Sequence, residues 1–318
     1  MQLHQNEIQT QISTKRERRI ARTPRKRKMS KNETTEGAFF LVSVEGVMGA
    51  GKSTLLINFR KFLSQQTNVD CPFTIDIIDE GVERYNRYKT FQPLALAYQK
   101  PRENVGFCQL HIINEINSLF AKATTTRHRG NFGSGGKPHF ILMDRNLFSP
   151  LPFTDHAYSQ GLISPFVRDY LLNETESRGK ATLNALQQRI TGSSGSACNE
   201  DKPYYEGTFF LDPPIDICLQ RIRHRGRPYE MVTELSHLES LRVAYSGQLE
   251  KNSILFGKIV FHRREEAHPK DLYKFLLEIG GITSEPTSND GDRLIPCEER
   301  NRSLNTNNDR GEQNASKQ

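Results

Sequence analysis

The 318-residue chain has no tryptophan, only five cysteines and no internal repeat. No apolar run approaches the roughly 18 residues of a membrane-spanning helix, and no apolar segment follows the N-terminal charges, so neither a membrane span nor a secretory leader is expected. The cysteines, Cys71, Cys108, Cys198, Cys218 and Cys297, are scattered and form no CxxC pair. A zinc site is therefore not expected, and reduced thiols in a cytosolic or nuclear setting are. An NKxD guanine-reading motif is also missing, which argues against a GTPase.

Positive charge is missing where a nucleic-acid surface would need it. The formal net charge is +7, but residues 1–38 hold ten Lys or Arg against four Glu, leaving the other 280 residues close to neutral. The basic character thus belongs to a polar tail that cannot bury enough surface to fold alone. Its PRKRK run, Pro24 to Lys28, reads as a nuclear-import address or as a solvated basic arm. The four Glu and the scarcity of Ser weaken a mitochondrial transit peptide. The polar C-terminal stretch is expected to be disordered too. The expected organisation is a disordered basic tail at 1–36, one folded domain at 37–282 and a disordered tail at 283–318.

With 35% apolar and 25% charged residues, the chain can bury one good-sized core. Short apolar runs recur with helical stretches between them: FFLVSVE (39–45), TIDIIDE (74–80), HFILMDR (139–145), TFFLD (208–212) and KIVFH (258–262). Such alternation predicts an α/β domain with a mostly parallel, buried sheet. Two small, polar, Gly-rich stretches, 124–138 and 191–203, read as surface loops or insertions.

The densest signal is SVEGVMGAGKSTLL, residues 43–56. It leads into LLINFRKFL, whose Leu55, Leu56, Phe59, Phe62 and Leu63 suit one helix face. A strand that ends in a Gly-rich turn and opens a helix aims several backbone N–H groups at one point, and the helix dipole adds positive potential there. Lys52 supplies a point charge for the β- and γ-phosphates, and the Ser53 hydroxyl is a ligand for Mg²⁺. Gly46, Gly49, Ala50, Gly51, Lys52, Ser53 and Thr54 are the candidates to bind a nucleoside triphosphate, with ATP the expected donor. The loop is silent about the acceptor.

Open α/β sheets bind ligands beyond the carboxyl ends of their strands, so the other strand ends hold the acceptor candidates. IIDEGVERY puts Glu80 there, where a carboxylate can accept a proton from an attacking hydroxyl. ILMDRN contributes Asp144, a candidate for the Mg²⁺ shell, and Arg145, which can stabilise charge on the transferring group. In DPPIDICLQRIRHRGRPYE, Asp212 is expected to cap a helix whose first turn accepts Pro213 and Pro214. Arg221 and Arg225 lie four apart on that helix, and with Arg227 could bracket a triphosphate as a flap closes. Taken singly, the strand-end groups read about equally well as surface charges, and the Arg run reads more readily as a solvated basic face. The phosphate loop reverses those odds.

In this order the motifs resemble the deoxyribonucleoside kinase family, which includes insect-type multisubstrate kinases, deoxycytidine and deoxyguanosine kinases, and mitochondrial and herpesvirus thymidine kinases. The resemblance covers about residues 39–262 and is carried by SVEGVMGAGKST, DEGVERY, YQKPRENVGFCQ, MDRN and RIRHRGRPYE. It implies a P-loop kinase-type parallel sheet with an Arg-rich lid, ATP and Mg²⁺ as cofactors, a deoxyribonucleoside as substrate and a homodimer. It makes Glu80 the general base for the 5′-hydroxyl and gives Arg145 that hydroxyl and the phosphoryl group. Tyr98 and Glu230 would hydrogen-bond the sugar 3′-hydroxyl, and Gln109 would read the base edge through its amide.

The departures concern the base pocket. Pro is absent after Glu80, Tyr85 stands where the family has Trp, Asn146 replaces a Ser or His, and Cys108 replaces an aromatic residue. Phe153 offers a ring to stack on the base, one residue out of the family spacing. Members that favour cytosine and purines carry an Arg and an Asp where this chain has Ile116 and Pro150. That apolar wall implies thymidine or deoxyuridine as acceptor, with deoxycytidine second. A thymidylate-type monophosphate kinase is the alternative within enzymes, with Arg84 and Arg87 for the acceptor phosphate. A P-loop protein that binds nucleic acid or a partner through its basic tail is the alternative from another class.

Overall fold

The computed structural model describes residues 38–65, 71–80, 92–127, 137–191 and 203–282. All belong to one compact unit. Both expected tails, together with Arg84, Tyr85 and Arg87, lie outside the described residues. In chain order the elements are β1 (Phe39–Glu45), α1 (Lys52–Gln65), β2 (Thr74–Ile78), α2 (Pro93–Gln99), α3 (Pro101–Arg127) and β3 (His139–Asp144). They continue with α4 (Pro150–Ser159), α5 (Pro165–Thr191), β4 (Gly207–Leu211), α6 (Ile215–Arg225), a 3-10 turn (Pro228–Glu230), α7 (Leu235–Lys251), α8 (Ser253–Phe256), β5 (Lys258–His262) and α9 (Pro269–Ile279).

The five strands form one sheet in the order β2-β3-β1-β4-β5, and every described pairing is parallel. The expected α/β architecture is therefore present, with strands on all five apolar runs. Central strands read as near-continuous apolar runs because both their faces are covered. Every residue of β4 is buried, whereas the edge strands β2 and β5 include exposed and half-buried positions. β1 is central, so the chain leaves it at the crevice where the strand order reverses, the usual place for a ligand in an open sheet.

Helix α1 buries Leu55, Leu56, Phe59 and Leu63, the face expected from their spacing, and packs against β3 and α9. A second group of helices is tied together by contacts of α3 with α4 and α5, and of α4 with α5 and α7. α6 ends at Gly226, whose φ of +68° and N–H to Ile222 O form a left-handed cap. That cap turns the chain into Arg227 and the 3-10 turn.

Three expectations need correction. Residues 124–127 are helical, because α3 continues through them; the rest of that Gly-rich stretch up to 136 lies outside the described residues. Asp212 does not cap α6, which begins at Ile215 after Pro214. Two successive prolines hold the preceding residues in extended backbone and remove the N–H groups a cap would bind. The Asp212 carboxylate is taken instead by Arg242, 2.6 Å away. Lastly, Cys108 and Cys218 are buried free thiols, but Cys71 is disulfide-bonded, a juxtaposition that sequence spacing does not reveal.

Candidate active site

The phosphate loop occupies the turn between β1 and α1. A Cβ on Gly46 (φ +144°) would lie 2.5 Å from the Leu211 carbonyl oxygen, and one on Gly49 (φ +77°) 2.3 Å from that of Cys218. Both obstacles are backbone, so glycine is demanded by space as well as by torsion. Lys52 Nζ donates to the carbonyls of Gly46 and Val47, each at 3.1 Å, which folds the ammonium back over the loop. Burial, and then the Arg145 cation, push the Lys52 pKa down to about 8. Next along the helix, Ser53 Oγ donates to Asp144 Oδ2 at 3.0 Å.

The strand-end charges meet beside this loop. Arg145 Nε lies 2.9 Å from Glu80 Oε1, an ion pair by distance whose N–H is not aligned as a hydrogen bond. Asp144 Oδ1 is buried with no hydrogen-bond partner. Burial, then the Glu80 charge, push the Asp144 carboxyl up to about 6, against the pull of Lys52 and Arg145. Arg145 has a φ of +67°, the only positive value at a non-glycine residue among the described residues. Its guanidinium rests over the Phe153 ring, 4.8 Å from the centroid, and donates from Nη1 to the Tyr245 hydroxyl.

A cavity of about 830 Å³ joins these groups to the rest of the candidate set. Its wall includes Gly49, Gly51, Lys52, Ser53, Thr54, Glu80 and Arg145, and also Tyr98, Gln109, Ile116, Pro150 and Phe153. Arg221, Arg225, Arg227 and Glu230 complete the wall from the lid side. Gly46, Ala50 and Asp144 are not on it. Gly46 and Ala50 shape the loop, Ala50 N bonding Val47 O at 3.3 Å, and Asp144 meets the cavity through Ser53.

The lid arginines divide their work. Arg221 donates to Ala50 O at 3.4 Å and to Glu265 O at 2.8 Å, so it lies against the phosphate loop. Arg225 and Arg227 both grip Glu230, with Arg225 Nε at 3.1 Å and Arg227 Nη1 at 3.3 Å from its carboxylate oxygens. Across the cavity, Tyr98 donates to Met48 Sδ at 3.1 Å, and its ring leans on Tyr229 at 5.8 Å. Gln109 is only 7% exposed, and its Oε1 has no partner. A buried acceptor left open costs about 1–3 kcal/mol, which a ligand donor would relieve. Ile116 and Pro150, both buried, present apolar surface to the same cavity.

Sequence reasoning missed several members. Glu45 closes β1 as a wholly buried carboxylate, accepting from Asn146 N at 2.8 Å and from Ser149 Oγ. Burial raises its pKa, although Arg145 and these donors pull the other way. An acid closing an otherwise apolar run was the available signal. His156 and His237 also line the cavity, His156 Nε2 lying 3.1 Å from His237 Nδ1. Burial, then His237, push His156 down to about 4, so it is neutral at pH 7. Nothing in their local sequence marks Tyr245 or the histidine pair.

The donor set suits a hard cation of modest protein ligation. No cluster of three or more His, Cys, Asp or Glu able to hold a metal is present among the described residues. A serine hydroxyl and one open carboxylate oxygen fit Mg²⁺, which keeps waters and takes phosphate oxygens rather than an all-protein cage.

Comparisons with known proteins bear on the family. The family model for deoxynucleoside kinases matches residues 42–274. A deoxyguanosine kinase of Dictyostelium discoideum is 24% identical over 205 residues, which cover 64% of this chain and 57% of the relative. The chain thus spans little more than half the length of that curated relative. Among solved structures, deoxyadenosine kinase from M. mycoides with bound dCTP aligns at 17% identity over 76% of this chain and 100% of its own, with a TM-score of 0.49. The same enzyme with dCMP and a flexible dCDP gives 15% identity, 75% and 97% coverage, and a TM-score of 0.48. The family match runs from inside β1 to inside α9 and takes in every candidate site residue, and the chain belongs to the deoxynucleoside kinase family.

Proposed function

We propose that the protein transfers the γ-phosphoryl group of ATP to the 5′-hydroxyl of a deoxyribonucleoside. The observation that carries this reading is one cavity whose wall holds the phosphate loop, the Glu80–Arg145 pair and the open carboxamide oxygen of Gln109. Glu80 takes the proton of the 5′-hydroxyl as its oxygen attacks the γ-phosphorus, and ADP leaves from the loop. Lys52 and Arg145 neutralise the negative charge that gathers on the transferring group. Ser53 and Asp144 would hold Mg²⁺, which when bound supplies further neutralisation at the phosphate oxygens. Tyr98 and Glu230 hold the sugar, and Arg221 with Arg225 and Arg227 covers the triphosphate from the lid.

The acceptor of choice is thymidine or deoxyuridine, with deoxycytidine second. Gln109 can pair with either pyrimidine, so its surroundings decide. Ile116 and Pro150 offer no side-chain hydrogen bond to an exocyclic amino group, and their apolar wall suits the 5-methyl of thymine. One methyl is worth only about 1–3 kcal/mol, so uracil overlaps. The name of the Dictyostelium relative makes a purine the rival acceptor. A homodimer, and a cytoplasmic or nuclear location directed by Pro24–Lys28, complete the proposal. No helix among the described residues is long and apolar enough to cross a membrane.

The test offers thymidine and thymidine monophosphate separately to the purified protein with ATP and Mg²⁺. Phosphorylation of the nucleoside supports the reading. Phosphorylation of the monophosphate alone replaces it with a monophosphate kinase.

A further inference from the structure

Arg145 is cationic, buried and held in a backbone conformation that L-residues avoid. Such a conformation costs on the order of 1–3 kcal/mol and persists only where neighbours over-determine it. The Tyr245 hydroxyl accepts from Arg145 Nη1 and donates to Glu45 Oε2 at 3.4 Å, so one phenol links the guanidinium to a carboxylate. Glu45 Oε2 is itself 3.9 Å from Arg145 Nη1. Its other oxygen accepts from the backbone N of Asn146, the residue after Arg145, and from Ser149 at the start of α4. Glu45 therefore holds both the side chain of Arg145 and the turn that carries it. Tyr245 arrives on α7, far along the chain, and is fully buried. Its ring meets Phe153 edge-on at 5.8 Å, so the surface beneath the guanidinium is fixed as well.

We infer that Glu45 and Tyr245 are positioning residues for Arg145, holding its guanidinium at the transferring phosphoryl group while touching no substrate themselves. The inference rests on the proposed phosphoryl transfer. Its physical basis is that a cation contributes to a transition state only if it is already aimed where charge develops. A guanidinium with one end free can swing, and a misplacement of about 1 Å can cost about 100-fold. Neither Glu45 nor Tyr245 lines the cavity, so neither is expected to alter nucleoside affinity directly.

Tyr245→Phe removes one hydroxyl and keeps the ring, and Glu45→Gln keeps the shape of the buried side chain. Each is expected to lower kcat about tenfold while the KM for nucleoside changes less than threefold. In an Arg145→Lys background, Tyr245→Phe is expected to cause no further loss, because the group it positions is gone. A purely structural role would instead lower thermal stability and reduce kcat equally in both backgrounds, and that result would overturn the inference. A second readout does not need turnover: the Arg145 Nε–Hε resonance should be sharp and slow to exchange in the unmodified protein, and broadened or lost in both variants. An unchanged resonance in both refutes positioning even if catalysis falls. If the unmodified protein phosphorylates no nucleoside yet the resonance behaves as expected, the kinase reading fails and the positioning of Arg145 stands.

Discussion

The two ends of the cavity are built from different materials. At the phosphate end the functional groups sit on strand ends and on a loop whose glycines press against the backbone of β4 and α6. At the nucleoside end Tyr98, Gln109, Ile116 and Phe153 are side chains on α2, α3 and α4, positioned by helix-on-helix packing. Backbone-built geometry tolerates almost no substitution. Side chains on packed helices can be exchanged one by one with the frame intact, so under the proposed reaction the first end fixes the chemistry and the second sets the substrate.

That difference is broken severely at Lys52. Replacing it with alanine should reduce turnover about 100-fold or more, since a charge aimed at the transferring phosphates is lost. Because the folded protein holds Lys52 at a depressed pKa of about 8, its charge weighs against folding below that pH. The variant should therefore melt no lower than the unmodified protein at pH 7, and its advantage should shrink as pH rises from 8 towards the unfolded value. Near-normal turnover in this variant would remove the kinase reading.

Glu80→Gln keeps shape but loses the proton acceptor, and should lower kcat by about 10²- to 10⁴-fold with a far smaller change in nucleoside affinity. Collapse of nucleoside binding with unchanged turnover of the bound complex would make Glu80 a binding residue instead.

At the other end, Gln109→Ala should raise the KM for nucleoside about tenfold and blunt discrimination between bases, leaving the KM for ATP unchanged. A matching rise for ATP would show that the two ends are not separable. A milder probe is pH: kcat/KM for ATP should fall as pH rises through about 8, where Lys52 loses its proton. A flat profile to pH 9 would mean that Lys52 stays charged in the free enzyme. Smallest of all, removing residues 1–36 should leave the kinetics unchanged, since no candidate site residue lies there.

The same contrast explains what could be read from the sequence. The phosphate loop is local, so GxxxxGKS, the flanking apolar run and the helix face of Leu55, Leu56, Phe59 and Leu63 announced β1, the loop and α1 together. All five strands were visible because buried parallel strands are short continuous apolar runs. Their order was not, since strand neighbours are set by crossovers rather than by any one segment. The Asp212 cap failed because two prolines remove the donors that a cap requires. Gln109 and Tyr98 become candidates only through family spacing, because an amide or a phenol on a helix carries no local mark of function. Tyr245 escaped altogether. Its partner Arg145 is 100 residues away in the chain, and only the packing of α7 beside the strand ends brings them together.

The most direct measurement is kcat/KM for thymidine, deoxycytidine, deoxyadenosine and deoxyguanosine under one condition with ATP and Mg²⁺. Thymidine should lead, deoxycytidine should follow, and both purines should be poor, as the apolar wall of Ile116 and Pro150 beside Gln109 requires. Deoxyguanosine or deoxyadenosine leading thymidine tenfold would contradict that account of the pocket, and no turnover of any of the four would contradict the proposed reaction itself.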